Sequence, residues 1–170
     1  MQIRPATPDD LAAVGRVHAV SRNAAYAGLL PADALAQVTP ARQEAVWRER
    51  VAAAPARSAL LVATYDGEVV GFTQGEARGD VAHLNAIHLL PDRHGGGAGQ
   101  ALHDALLGRF AGWGCSSARL YVVRGNERAQ SFYRRNGWTH DGTTGSHEVG
   151  GVVVPVLECR RCSADPSLPA

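Results

Sequence analysis

A run of glycines in the middle of the chain is the feature whose chemistry is clearest. The segment Arg93-His94-Gly95-Gly96-Gly97-Ala98-Gly99 lies between a predicted strand and a predicted amphipathic helix. Glycines in such a loop let backbone N–H groups converge, and the start of the following helix adds partial positive charge. Donors arranged in this way bind phosphate. The segment therefore predicts a phosphate-binding loop, with a plain flexible turn as the alternative.

Two common nucleotide-binding motifs are excluded by the residues themselves. All seventeen basic residues are arginine, so the Gly-Lys-Ser/Thr of a P-loop is absent, and so is any Schiff-base lysine. A dinucleotide motif G-x-G-x-x-G also fails, because its last position falls on Gln100 or Leu102. If the loop binds phosphate, the ligand is therefore of another class than those that these two motifs bind.

Composition sets the class of protein. The chain has 170 residues, a 45% apolar fraction and a net charge of +1, which favours one globular domain with no field that attracts nucleic acid. Three cysteines are too few for a disulfide scaffold, and the single pair Cys159-Arg160-Arg161-Cys162 is interpreted as incidental. Without a signal-peptide pattern or a membrane-length apolar run, we expect a cytoplasmic protein with no membrane partner.

The elements that must position the loop follow from periodicity and turn signals. Strands are predicted at 3–7, 59–65, 68–78, 81–90, 119–123, weakly from 138, and at 149–158. Helices are predicted from 8, at 40–53, after the glycine loop and at 127–136, with a loop at 22–33. This order predicts an α/β chain of α+β type, in which a mixed, mostly antiparallel sheet is flanked by helices on both faces. We expect one domain over 1–162 and a disordered tail over 163–170.

Two motifs make the chain resemble the GNAT superfamily of N-acetyltransferases. Residues 81–91 with the glycine loop resemble its core acetyl-CoA motif, which ends in Arg/Gln-x-x-Gly-x-Gly/Ala. Here the match fails only at its first position, His94. The second cofactor motif is similar to Asn126-x-x-Ala129-x-x-Phe132-Tyr133-x-x-x-Gly137-Trp138. The resemblance extends along nearly the whole chain and implies a GNAT-like fold, acetyl-CoA as donor and a primary amine as acceptor.

The resemblance also implies roles for individual residues. The strand at 81–90 would pair with the pantetheine arm through Leu89 and Leu90, and the Leu89 N–H would stabilise the thioester oxygen. Tyr133 would contact the cofactor and protonate the leaving thiolate, although its helical stripe also suits a core residue. Asn126 would contact the cofactor and can cap the following helix at the same time. The pyrophosphate would lie against His94, Gly95, Gly96, Gly97, Ala98, Gly99 and Gln100.

The general base stays open. The family's usual glutamate positions carry His83 and Tyr121, so His83, Glu76 and a water chain are the candidates. A regular strand places His83 and Asn85 on one face and His88 on the other. Opposite faces and the absence of paired carboxylates predict no metal site.

The acceptor should bind through the first part of the chain and the central strands. Residues 23–31 resemble an acceptor-wall segment of the family, with Tyr26 as an aromatic surface, and Glu76 and Asn85 are further candidates for substrate binding. The acceptor class is a small-molecule or peptide amine, and a homodimer is left open. Two alternatives to catalysis are a non-catalytic acyl-CoA sensor and, more weakly, a nucleotide-binding module.

Overall fold

The computed structural model describes residues 1–162, so the tail predicted at 163–170 lies outside the described residues. Seven strands form one sheet in the order β1-β2-β3-β4-β5-β7-β6. The strands are β1 (Gln2–Pro5), β2 (Ser58–Tyr65), β3 (Glu68–Arg78), β4 (Val81–Leu89), β5 (Ser117–Val123), β6 (Thr144–Val149) and β7 (Val152–Cys162). Among these seven strands, only β4 and β5 pair in parallel. The predicted mixed, mostly antiparallel sheet is confirmed.

Helices cover both faces of the sheet. They are α1 (Leu11–Tyr26), α2 (Ala32–Ala36), α3 (Pro40–Ala52), α4 (Ala98–Gly112) and α5 (Glu127–Arg135). On one face, α1 and α3 pack Val14, Val17 and Trp47 against Phe72 of β3. On the other face, α4 buries Leu102, Leu106 and Phe110 in a second core that also contains Tyr133 of α5.

A close approach of α4 to β3 depends on glycine. A Cβ built on Gly75 would lie 2.6 Å from the Phe110 ring of α4, which is shorter than real contacts allow. A Cβ on Gly71 would overlap a Leu89 methyl group of β4 and would lie only 3.2 Å from Leu102 of α4. The two glycines therefore let α4 lie close to the sheet, which fixes the position of the loop that precedes the helix.

Three regions differ from the sequence-based expectations. The loop predicted at 22–33 is confirmed only for residues 27–31, because α1 continues to Tyr26, ends before Gly28, whose φ is +81°, and is followed by α2 from Ala32. The strand predicted from 138 reduces to one bridge between Thr139 and Arg160, and β6 begins only at Thr144. Glycines 150 and 151, both with positive φ, form a turn, so the last strand starts later than predicted.

The last strand also contains the cysteine pair. Cys159 is buried and Cys162 is exposed, as expected for residues three apart on a strand, whose side chains point to opposite faces. No helix within residues 1–162 is long and apolar enough to cross a membrane.

Candidate active site

A gap opens between β4 and β5 in the centre of the sheet. The two strands pair from Val81 with Ser117 to Leu84 with Leu120, and no further pair follows. Beyond that point β5 stays paired with β7 as far as Val123, so β4 loses its neighbour on this side. The gap leads into a cavity of about 540 Å³ that is lined by residues from both strands and from α1, α3, α5 and β6.

The edge of β4 along this gap presents free backbone donors. The Leu90 N–H donates to the Val70 carbonyl at 2.9 Å. Because bonded and non-bonded pairs alternate in an antiparallel ladder, the adjacent pair of Leu89 with Gly71 is non-bonded. The Leu89 N–H therefore points away from β3 and into the gap.

A β-bulge in β4 reshapes the wall of the cavity. Gly75 pairs with Leu84 and Gln74 pairs with Ala86, so Asn85 is an extra residue, and it lines the cavity. The inserted residue reverses the side-chain alternation after it. His83 lies opposite Glu76 and His88 lies opposite Phe72. Glu76 and Phe72 are on one face of β3, so the prediction that His83 and His88 face opposite ways is wrong.

The glycine loop lies open at the start of α4. Gly95 and Gly97 both have φ of +83°, in the left-handed region that favours glycine. The first intrahelical bond runs from the Ala101 N–H to the Gly97 carbonyl, so the N–H groups of residues 98–100 precede any helical acceptor. Within the described residues no backbone carbonyl accepts from Gly95, Gly96 or Gly97 either.

The space around these N–H donors is open. A Cβ added at Gly95, Gly97 or Gly99 would meet nothing within 4 Å. Clustered free N–H groups at a helix start, with open space before them, suit an anionic group such as a diphosphate. The residues present therefore fit the phosphate end of a coenzyme.

Of two polar side chains near the loop, Arg128 lies at its rim, whereas the Gln100 side chain is bonded elsewhere. Arg128 of α5 contacts the His94 ring, and burial together with that arginine lowers the pKa of His94. Arg128 therefore supplies positive charge at this rim, which the sequence analysis missed. The Gln100 side chain donates to Asp104 at 2.8 Å and to Asn136 at 2.6 Å, so only its backbone faces the loop.

Helix α5 supplies one wall of the cavity. The Asn126 side chain caps this helix by accepting from the Ala129 N–H at 3.2 Å, which confirms the predicted capping role. Asn126, Ala129 and Tyr133 all line the cavity. Tyr133 is buried, and its hydroxyl makes no hydrogen bond with the residues that the structure describes. Burial raises the pKa of Tyr133 far above its usual value, so the hydroxyl stays protonated and can donate.

The candidate acceptor residues line the same cavity. Tyr26 is buried at the end of α1, with the Arg22 guanidinium 5.9 Å from its ring centre. Glu76 forms an ion pair with Arg78 at 2.7 Å. His83 does not line the cavity but lies opposite Glu76 on the neighbouring strand. Burial, followed by Arg78, lowers the pKa of His83, so its imidazole is neutral at pH 7 and can accept a proton.

A buried histidine pair adjoins this wall. The rings of His18 and His88 lie 4.4 Å apart, and Trp47 donates its indole N–H to Nδ1 of His18 at 3.0 Å. Burial, with a smaller contribution from the nearby Arg22, lowers the pKa of His88 to about 3. Among residues 1–162, no three His, Cys, Asp or Glu side chains lie close enough together to hold a metal ion.

Several cavity residues were not found from sequence. Arg22 fell in a region predicted as loop, although its spacing from Tyr26 is that of one helical face. Arg50 and His147 are distant in sequence and reach the cavity only through the fold. No motif marks them.

Comparison with known proteins agrees with this architecture. The profile of the acetyltransferase (GNAT) family matches residues 27–138. An uncharacterized N-acetyltransferase of Mycobacterium tuberculosis is 41% identical over 90 residues, which cover 51% of this chain and 56% of that protein. A mycothiol acetyltransferase of Streptomyces griseus is 36% identical over 92 residues, which cover 53% of this chain and 28% of that protein.

A solved structure shares the fold over nearly the full chain. The PaiA N-acetyltransferase of Thermoplasma acidophilum, in complex with coenzyme A, has a TM-score of 0.74 and 22% identity. The match covers 92% of this chain and 96% of that one. The curated relatives are matched over about half of their length or less. The family profile spans most of the chain and includes β4, β5, the glycine loop and α5. The chain therefore belongs to the acetyltransferase (GNAT) family.

Proposed function

We propose that this protein transfers an acetyl group from acetyl-CoA to a primary amine by direct attack of the amine. The observation that carries the proposal is the open glycine loop, whose free N–H groups stand at the end of a strand that borders an unfilled gap in the sheet. One end of this arrangement suits a diphosphate, and the other suits an extended arm that adds to a strand edge. A single sheet contains all seven strands, which supports one acetyltransferase domain over 1–162.

Binding of the donor would use backbone groups for most of its contacts. The N–H groups from Gly95 to Gln100 would hold the diphosphate, with Arg128 and His94 at the rim. The free edge of β4 up to Leu89 and Leu90 would hold the pantetheine arm. Acetyl-CoA would supply an acetyl group activated as a thioester. The coenzyme A complex of the Thermoplasma neighbour is consistent with this use of the fold.

The chain's own groups would then serve the transfer. The Leu89 N–H would stabilise negative charge on the carbonyl oxygen as the amine attacks. Tyr133 would donate its proton to the departing sulfur, since its hydroxyl is protonated and has no partner in the described part of the chain. Asn126 would position both α5 and the donor.

The acceptor ammonium must lose a proton before it attacks. Glu76 lines the cavity and is ion-paired with Arg78, whereas His83 is neutral and lies directly across from Glu76. The two are candidates for the base, either directly or through a water chain. Tyr26 and Asn85 would contact the acceptor.

The test is a screen of primary amines with acetyl-CoA that follows the release of free thiol, alongside calorimetric titration of acetyl-CoA. We expect saturable thiol release that requires both substrates. Binding of acetyl-CoA without turnover across the whole panel would instead indicate a non-catalytic acyl-CoA sensor. Preference for ATP over acetyl-CoA would indicate a nucleotide-binding module.

A further inference from the structure

The charges around the acceptor cavity do not balance. Arg22, Arg50 and Arg78 line it, and Glu76 is the only carboxylate among its lining residues in the described part of the chain. Glu76 already forms an ion pair with Arg78 at 2.7 Å. Neither Arg22 nor Arg50 forms an ion pair with any carboxylate within residues 1–162.

The partners that Arg22 and Arg50 do have are neutral. Arg22 bonds Nε2 of His147 at 2.8 Å and lies against the Tyr26 ring. Arg50 lies over the Trp47 ring at 5.1 Å, at the cavity mouth. Burial and these arginines lower the pKa of His147, so this imidazole is neutral at pH 7. The cavity thus holds two positive charges that no carboxylate within residues 1–162 pairs with, and the one carboxylate among its lining residues, Glu76, is paired with Arg78.

Such a cavity repels a simple ammonium ion. An amine that also carries a carboxylate would bring a negative charge to offset the guanidinium groups. Arg22 lies beside Tyr26, and both residues line the same cavity as Tyr133, the candidate acid. We therefore expect one small molecule to contact Arg22 and to face Tyr133.

We propose that the acceptor is a small amine that carries a carboxylate, and that Arg22 and Arg50 bind this carboxylate while the amine faces the gap beside Leu89. The inference rests on the proposed function and names the substrate class of the same site. Arg22 and Arg50 are then residues that determine specificity.

The test uses matched pairs that differ only in the carboxylate. Phenylalanine, methionine, glutamine and β-alanine are titrated against the full chain loaded with coenzyme A, each beside its primary amide, by calorimetry without an acetyl donor. We expect at least one acid to bind about tenfold or more tightly than its amide. Equal or tighter binding of every amide, or no binding of any acid, would overturn the proposal.

Variants locate the carboxylate site. Arg22→Gln and Arg50→Gln should each weaken binding of the acid by about tenfold and leave the amide unchanged. Arg48→Gln is the matched control, because Arg48 lies on the same helix as Arg50 but pairs with Glu44 on the exposed surface. If Arg22→Gln does not fold, Arg50→Gln, at the exposed mouth of the cavity, is tested alone. A preference for acids that both variants retain would overturn the assignment.

Activity separates this inference from the proposed function. Acid-selective binding without thiol release would support the carboxylate site and contradict the proposed acetyltransferase activity. Turnover of amides as fast as acids would keep the enzyme and overturn the carboxylate site.

Discussion

The Ser21 hydroxyl lies 2.8 Å from Nδ1 of His88, and this contact joins α1 to β4 at the wall of the cavity. His88 also stacks on Phe72, with ring centres 5.3 Å apart. A neutral imidazole suits these surroundings, because burial and Arg22 both disfavour the proton. The stability of the fold should therefore depend on keeping His88 neutral.

This dependence gives a pH prediction with a definite sign. The pKa of His88 is about 3 in the fold and about 6.5 in the unfolded chain. Above pH 6.5 neither state is protonated, so the effect is absent. As pH falls below 6.5 the unfolded state takes up a proton that the native state refuses, and stability drops by at most about 2 kcal/mol at pH 5. Urea unfolding at pH 7.5 and pH 5 measures this difference in the free energy of unfolding.

The variant His88→Gln should remove part of this pH dependence, whereas His140→Gln, at an exposed position, should leave it unchanged. The buried His18 shifts in the same direction and accounts for part of the remaining slope. A slope that His88→Gln leaves intact would contradict the assignment.

The glycine loop gives a prediction that separates stability from binding. Gly99→Ala adds a methyl group in open space within the first turn of α4, so the helix should gain up to about 1 kcal/mol. The same methyl group occupies the space before the free N–H groups, so affinity for acetyl-CoA should fall by about tenfold, or about 1.4 kcal/mol. Thermal unfolding and calorimetry measure the two effects.

Gly108→Ala is the control, because this exposed glycine lies further along the same helix and its Cβ would also meet nothing within 4 Å. It should stabilise the fold without changing binding. Equal affinity of both variants for acetyl-CoA would mean that the diphosphate does not lie on this loop.

The sequence predicted the donor side of the site better than the acceptor side. The glycines before α4 and the cap at Asn126 are local features, since neighbouring residues determine both. The bulge at Asn85 was not predictable in this way, because it exists only in the register between β3 and β4. For the same reason the shared face of His83 and His88 was missed.

The acceptor cavity depends on contacts between distant segments. Arg22 meets His147 although 125 residues separate them, and the unpaired charge of Arg50 is visible only when Glu76 is seen to pair with Arg78. Hydrophobic periodicity places helices and strands but carries no information on which polar side chains they bring together.

The base can be identified from the acid side of the pH profile. The pKa of His83 is lowered, so a His83 base would give a kcat/KM that falls only as pH drops below 6.5. His83→Gln should then lower activity at pH 7 and abolish that limb, whereas Glu76→Gln should retain it. The opposite pattern would assign the base to Glu76. A limb unchanged in both variants would favour a water chain.

The role of Tyr133 rests on a buried hydroxyl that faces the cavity with no partner in the described part of the chain. Tyr133→Phe removes that hydroxyl and keeps the ring that packs beside Phe132 and Trp138. We expect kcat to fall by about 10²-fold, at the low end for general acids because a thiolate is a fair leaving group. The affinity for acetyl-CoA should stay constant, since backbone groups supply most of the proposed contacts. Tyr65→Phe, at an exposed tyrosine outside the cavity, is the control. If kcat in Tyr133→Phe stays within about twofold of the control, water protonates the sulfur and Tyr133 serves the core alone.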